Sequence, residues 1–308
     1  MNFLWVIFTL LGAAGQTARN AMQRELTPRL GALGATLVRF LFGFPFALVF
    51  LAAALAWTHA ALPALTFDFA LWTLLGAATQ IGGTALMLMT MEQRSFVVTV
   101  AYLKTEPVLV ALMGLLFLGD PLTLTMALAI VVAMAGVALI SVKPEALAGG
   151  NFSNWRGPAL LGLSSAALFA GSAIGYRGAI LSLHQPSFVL AATFSLAAGL
   201  TLQTLLLLAW LLLFKRGTLK AIAALWRPSL AAGFAGAAAS EFWFLAFALA
   251  TAASVRTLAL VEVLFAQGVS RFIFHQKTTT REAAGIVLLL TGAALIVWAA
   301  SDSVAPPR

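Results

Sequence analysis

Between Tyr102 and Pro107 an otherwise apolar stretch reads Tyr102-Leu103-Lys104-Thr105-Glu106-Pro107. An ionisable side chain at membrane depth is costly, so each one is a candidate for function. A protonated carboxyl is far cheaper to bury than a carboxylate. Glu106 is therefore a candidate proton carrier, or an anchor for a cationic group on a substrate. Pro107 lacks the N–H that would bond the Leu103 carbonyl, so a freed carbonyl and a kink are expected beside the glutamate. Lys104 stands about 200° around a helix from Glu106, so the two cannot share a face. Tyr102, four residues before Glu106, does share it, and can hydrogen-bond the carboxyl or stack on a substrate. The blander alternative is that Glu106 pairs with a basic side chain to lock helices together, while Tyr102 and Pro107 only shape the segment.

A shift of 156 residues places Glu106 on Glu262 and Ala-Gly-Val-Ala-Leu-Ile (135–140) on Thr-Gly-Ala-Ala-Leu-Ile (291–296). Two such acids near a symmetry axis can share a proton or bracket a cation. Alternatively, Arg39, Lys104 or Arg256 neutralises each of them separately. Glu241 opens Glu241-Phe242-Trp243-Phe244, where a carboxylate among aromatics, Trp243 above all, suits an amine by charge and cation–π contact. Arg39 is a candidate partner for a buried acid or a substrate carboxylate. Gln16 with Asn20, and Gln80 with Thr84, are each four residues apart. Each pair forms one polar stripe, facing either a cavity or another helix. Gly12, Gly15, Gly82, Gly83, Gly171 and Gly175 read as sites of close helix packing. Three acids and three bases inside the spans suit a cavity for zwitterions, and suit equally a set of internal salt bridges.

The elements that must position these residues are membrane helices. The 308 residues are 62% hydrophobic and only 9% charged, against about 25% charged in a soluble domain. Lipid satisfies no backbone polar group, so apolar segments of this length must be helices. Ten spans are expected, at about 2–20, 31–56, 68–91, 95–118, 122–142, 158–180, 187–214, 228–250, 253–275 and 281–300. Turn signals separate them at Thr27-Pro28, Leu62-Pro63, Gly119-Asp120-Pro121, Gln185-Pro186 and Arg227-Pro228. The fold class expected is an all-α membrane protein, ten transmembrane helices arranged as a five-plus-five inverted repeat. Residues 1–143 form the first repeat, 144–156 the linker and 157–301 the second repeat. An odd helix number per unit sends the second copy in from the opposite side, which puts a binding site near the midplane between the halves.

Thirteen Lys and Arg fall on the side of the odd-to-even loops, against three on the side of the termini. That asymmetry predicts a multi-pass protein of a bacterial-type cytoplasmic (inner) membrane with both termini outside. The apolar N-terminal segment has a counterpart in the second half and reads as a span rather than a cleaved signal. The formal charge of +8 is thus an orientation signal and not a sign of nucleic-acid binding. There is no Cys, and His59, His184 and His275 are far apart, so no thiolate chemistry, metal centre or other cofactor is expected. No nucleotide-binding loop and no His-Glu-x-x-His pattern occurs, which argues against an ATP-driven pump or an intramembrane metalloprotease.

With these residues placed, the chain resembles the drug/metabolite transporter superfamily in its EamA-like, ten-helix branch. The resemblance rests on Leu37-Val38-Arg39-Phe40-Leu41, on Glu106-Pro107-Val108 followed by Leu115 to Asp120, and on Gly136-Val137. It covers nearly the whole chain. In the second half His275-Gln276 stands where the first has Gly119-Asp120, and helix 1 carries Gly15 to Asn20 in place of a Trp-Gly element. The resemblance implies a secondary transporter with a central cavity lined by predicted helices 1, 3, 4, 6, 8 and 9. The expected function is export of a small metabolite or drug-like compound, such as an amino acid or organic cation, by alternating access. Protons are a candidate coupling partner, and the chain acts as a monomer or homodimer in the bilayer. The alternatives are a lipid or lipid-linked sugar translocase of the same fold and, from another class, an intramembrane enzyme or passive channel.

Overall fold

The computed structural model describes residues 3–93, 99, 102–141, 156–265 and 279–302. Most of the expected linker 144–156, and parts of the expected spans 95–118 and 253–275, lie outside the described residues. The helices in chain order are α1 (Leu4–Thr58), α2 (Phe67–Gln93), α3 (Glu106–Met113), α4 (Leu124–Ser141), α5 (Arg156–Ser182), α6 (Phe188–Phe214), α7 (Arg216–Ala224), α8 (Trp226–Leu249), α9 (Ala252–Leu258) and α10 (Thr280–Asp302). Among the described residues there is no strand. Among the described residues six helices are long and apolar enough to cross a membrane: α1, α2, α5, α6, α8 and α10. The burial pattern fits that environment. Leu116, Phe117, Val131, Leu160, Leu213 and Val287 are exposed, while Arg19, Gln23, Arg39, Thr84 and Gln203 are buried. This is an all-α membrane protein, apolar where it meets lipid and polar where helices meet one another.

The first two expected spans join in α1, which is interrupted only at Gly31 (φ 69°, ψ 166°). A positive φ is strained for any residue with a Cβ, which is why the break falls on the glycine and not at Thr27-Pro28. Gln23 Nε2 donates to the carbonyl of Ala35, twelve residues on, at 3.0 Å. In one straight helix those residues would lie about 18 Å apart. The arms 4–30 and 32–58 therefore fold back on each other at Gly31. Helical geometry runs ten residues past the expected end at Asn20, which carries Arg19 into the interior, where it is 2% exposed. Arg19, one of the thirteen basic residues counted on the loop side, is consequently not a loop charge.

Pro107 occupies a different place from the one expected. Lys104 and Thr105 form a turn, closed by the Thr105 amide on Tyr102 O at 3.2 Å. Helix α3 starts afresh at Glu106, so Pro107 lies in its first turn. An amide there has no intrahelical partner, and its absence costs nothing. Proline starts a helix here and does not kink one. On the other side of the pairing suggested by the sequence, the chain after α9 tightens into a 3₁₀ turn at Ala259–Val261, immediately before Glu262. Both acids thus stand at irregular backbone.

Helix α3 ends in a π-helical turn, Gly114–Leu118, and a left-handed Gly119 whose neighbour's amide, Asp120 N, reaches Gly114 O at 3.1 Å. This delivers Asp120 to Arg177 of α5 at 3.1 Å. Arg177 also donates to Phe247 O at 2.6 Å and to Ala250 O at the end of α8. A single guanidinium thereby ties α3, α5 and α8. The region between α6 and α8, expected as a basic loop, holds the nine-residue α7. It buries Ile222 and exposes Arg216 and Lys220, as suits a helix lying at a membrane interface.

Helices associate mainly as α1 with α8, α2 with α5 and α4 with α10. Gly12 and Gly15 meet Trp243 and Ala239, Gly82 and Gly83 meet Leu168 and Phe169, and Gly175 meets Gly76. Helices α4 and α10 also approach backbone to backbone. A Cβ on Gly136 would lie 2.5 Å from Leu289 N, and one on Gly292 would lie 2.6 Å from Ala133 N. Shifting Gly136 and Leu289 by 156 residues, forwards and backwards, gives Gly292 and Ala133. The two contacts are therefore interchanged by the sequence repeat.

Candidate functional site

The interruption before α3 and the 3₁₀ turn after α9 aim their polar side chains at each other. Lys104 pairs with Glu262, and Arg256 Nε approaches Glu106 Oε1 at 3.0 Å. The second pair is in charge contact without the alignment of a hydrogen bond. Each acid is thus held by a cation from the opposite half of the chain, in a crossed arrangement. Lys104 lies in the turn before α3 and crosses to Glu262, while its near neighbour Glu106 is taken by Arg256. The Arg256 guanidinium also lies over the Trp243 ring, 4.5 Å from its centroid, with Phe247 at 5.4 Å.

These pairs wall a polar cavity. Helix α1 contributes Gln16, Arg19 and Asn20, one face at spacings of three and four residues. Leu103, Lys104, Glu106 and Pro107 enter from the α3 side, and Arg256, Ala259, Leu260 and Glu262 from the α9 side. Met87 and Phe169 complete the lining. A second, smaller chamber shares Gln16, Arg19, Phe169 and Arg256 with the first. It adds Arg39, Gln80, Ser172, Tyr176, Ser240 and the aromatic face of α8, with Trp243, Phe244 and Phe247. Two chambers with four residues in common are one bipartite cavity: charged at one end, aromatic and hydroxyl-rich at the other. Among the described residues no cluster of His, Cys, Asp and Glu could hold a metal ion.

Of the residues singled out in the sequence, Gln16, Asn20, Lys104, Glu106 and Glu262 line the first chamber, and Gln16, Arg39, Gln80 and Trp243 the second. The remaining three sit behind the wall. Thr84 accepts from Arg39 Nη1 at 3.1 Å and so positions that guanidinium. The Tyr102 ring packs on the bare backbone of Gly162. Glu241 is turned away from Trp243 toward α6, where Thr193 Oγ1 reaches its Oε1 at 2.6 Å and Val189 O at 2.8 Å. Trp243 serves Arg256 and not Glu241. Residues that sequence reasoning passed over are Arg19, Tyr176, Ser172 and Ser240. Arg19 had a signal: it is three residues after Gln16 and shares the polar stripe.

Residues 3–142 match the model of the EamA-like transporter family. Over those residues, just under half of the chain, the protein is similar to that family. EamA-like proteins are part of the drug/metabolite transporter superfamily. A solved crystal structure superposes over 99% of this chain and 98% of its own, with a TM-score of 0.69 at 15% identity. At that identity the likeness concerns the fold alone, and it extends through the second half, which the family match does not cover. No curated protein sequence matches the chain.

Proposed function

We propose that this EamA-like protein is a secondary carrier that exports a small metabolite by alternating access. The observation that carries the reading is the bipartite cavity, whose two acids come one from each half and are each held by a cation of the other. A carrier needs an occluded polar site between two units that rock against each other. Crossed ion pairs are a bistable element of the required kind, since a substrate or proton that engages one partner releases the other. The ten-span, five-plus-five inverted repeat is supported by the interchange of the Gly136–Leu289 and Gly292–Ala133 contacts. Proton coupling through Glu106 and Glu262 belongs to the same proposal.

The test is counterflow in liposomes: vesicles preloaded with unlabelled solute should transiently accumulate labelled solute, with saturation. A metabolite panel that gives no counterflow in either direction refutes the carrier reading. Orientation follows from the basic loops. Lys215, Arg216, Lys220 and Arg227 are all exposed around α7, and placing them in the cytoplasm puts both termini outside. Lys215→Cys is expected to resist an impermeant maleimide added to intact cells and to react after lysis. The native chain has no Cys to confuse the readout. Labelling in intact cells reverses the orientation.

A further inference from the structure

The charges lining the cavity do not balance. Arg19, Arg39, Lys104 and Arg256 face two carboxylates, Glu106 and Glu262, which Arg256 and Lys104 already engage. The other interior acids are committed elsewhere, Asp120 to Arg177 and Glu241 to Thr193. Glu25, Asp68 and Glu92 are exposed, and Glu282 bonds Thr279. Two guanidiniums therefore stand without a carboxylate among the described residues, each 2% exposed. They also stand side by side. A Cβ on Gly236 would lie 3.1 Å from Arg39 Cγ and 3.4 Å from Arg19 Cδ, so both stems cross the bare backbone at that residue. Two like charges buried next to each other repel, and each has lost its hydration.

The hydrogen bonds point the same way. Arg19 spends Nε and Nη2 on its neighbour Asn20, and Arg39 spends Nη1 on Thr84 and Nη2 on Ser240. Among the described residues, Arg19 Nη1 and Arg39 Nε are left without a partner, as are Trp243 Nε1 and Tyr176 Oη. All four residues line the second chamber. The three nitrogens can only donate, and the phenol can donate too. A cation or an amine would add donors to a site already short of acceptors. An oxyanion supplies both the missing charge and the missing acceptors.

We infer that the substrate is an organic anion whose carboxylate or phosphate group seats between Arg19 and Arg39, with its apolar body against Phe169, Trp243 and Phe244. This rests on the carrier reading for its site and deepens it in substrate class. Glu106 and Glu262 then serve to hold Arg256 and Lys104, and the amine-binding role suggested by the acids in the sequence falls away.

The experiment uses four probes with one aromatic body and different heads: phenylacetate, phenyl phosphate, phenylacetamide and phenethylamine. Binding to the purified full-length protein is followed by tryptophan fluorescence and calorimetry. At least one anion is expected to bind about tenfold or more tighter than the neutral amide, with the amine weakest. Phenylacetate ahead of phenyl phosphate identifies a carboxylate site, and the reverse order a phosphate site. Arg19→Gln should weaken the preferred anion about ten- to a hundredfold and leave the amide unchanged. Arg39→Lys keeps the charge but not the fork, and should cause a smaller loss. If Arg19→Gln fails to fold, the order of the four probes on the unaltered protein decides alone. An amine or amide that binds as well as the anions overturns the inference, as does binding of none of the four. Anion binding without counterflow leaves the site standing and removes the carrier reading. Counterflow of the amine with no anion binding does the opposite.

Discussion

Glu262→Gln is expected to cost the folded protein about 3–5 kcal/mol, because it leaves Lys104 charged beside Glu106 alone, which Arg256 already engages. The Lys104 and Glu262 side chains are 11% and 13% exposed, so solvent offers each little compensation. The same reasoning applies to Glu106→Gln, which strands Arg256. The paired change Lys104→Met/Glu262→Met behaves differently, since it removes both charges and fills their volume with flexible apolar side chains. Replacing a buried pair by apolar groups is close to neutral or mildly stabilising. Thermal melting in detergent should therefore show large losses for Glu262→Gln and for Lys104→Met, and recovery in the double variant. Counterflow on the double variant then separates two roles that stability alone cannot. If the pair is only a clamp, the double variant transports. If the pair is an element that must open and close, it folds and does not transport. Single variants that melt like the native protein would show that Lys104 and Glu262 do not form a buried pair.

The crossed pairing also shows how far the site was legible in the sequence. The acids were visible because an ionisable residue in an apolar span is conspicuous, and the shift of 156 residues related them. Their partners were not determined, because Lys104 and Glu106 are local in sequence while the pairs are made across the protein. Angular position on a helix excludes a neighbour but does not name a distant partner. Arg19 was misplaced for a different reason. A hydropathy reading ends a span at the first run of polar residues, and Gln16 to Asn20 looks like such an end. The helix continues to Leu30 because lipid contact is not its only support. Arg19, Asn20, Gln23 and Thr27 are all buried against protein, so the second half of this arm needs no apolar window. Gly31 was likewise invisible as a hinge, since nothing marks which of several glycines takes a positive φ. Pro107 misled because proline means a kink inside a helix and a good start at its first turn, and only the turn at Lys104-Thr105 decides between them.

Burial of polar residues in the interior reverses the usual relation between helix ends and function. In α3 and the segment after α9, the informative positions are the interruptions. Backbone there is free of regular helical pairing, and the side chains point between helices. Glu106 stands at the start of a helix, where its charge is favourable to the helix dipole whether or not a substrate is present. Glu262, after the tightened turn, likewise opens an α-helical stretch at 262–265.

Gly136→Ala and Gly292→Ala are expected to destabilise the protein by similar amounts, about 1–3 kcal/mol each. Alanine is the better helix former by about 1 kcal/mol, so a net loss at either position reports the interhelical contact and not local propensity. The contact is severe because it is made with backbone. A Cβ on Gly136 would stand 2.5 Å from Leu289 N and 2.7 Å from Gly285 O, and one on Gly292 would stand 2.6 Å from Ala133 N. A side chain in the way can change rotamer, but a helix backbone can yield only by moving the whole of α4 or α10. Gly217 in α7 is the control: nothing lies within 4 Å of a Cβ there, so alanine should be neutral or slightly stabilising. The equality of the two losses matters more than their size. Gly136 and Gly292 stand in the same relation to each other's helices, and a pseudo-two-fold axis between α4 and α10 requires their substitutions to cost alike. A large loss at one position and none at the other would mean that the two contacts are not equivalent, and the inverted-repeat proposal would lose its structural support. Matched losses, with the Gly217 control unaffected, would fix the axis beside the helices that carry the two acids and so bind the symmetry of the fold to the crossed pairs of the cavity.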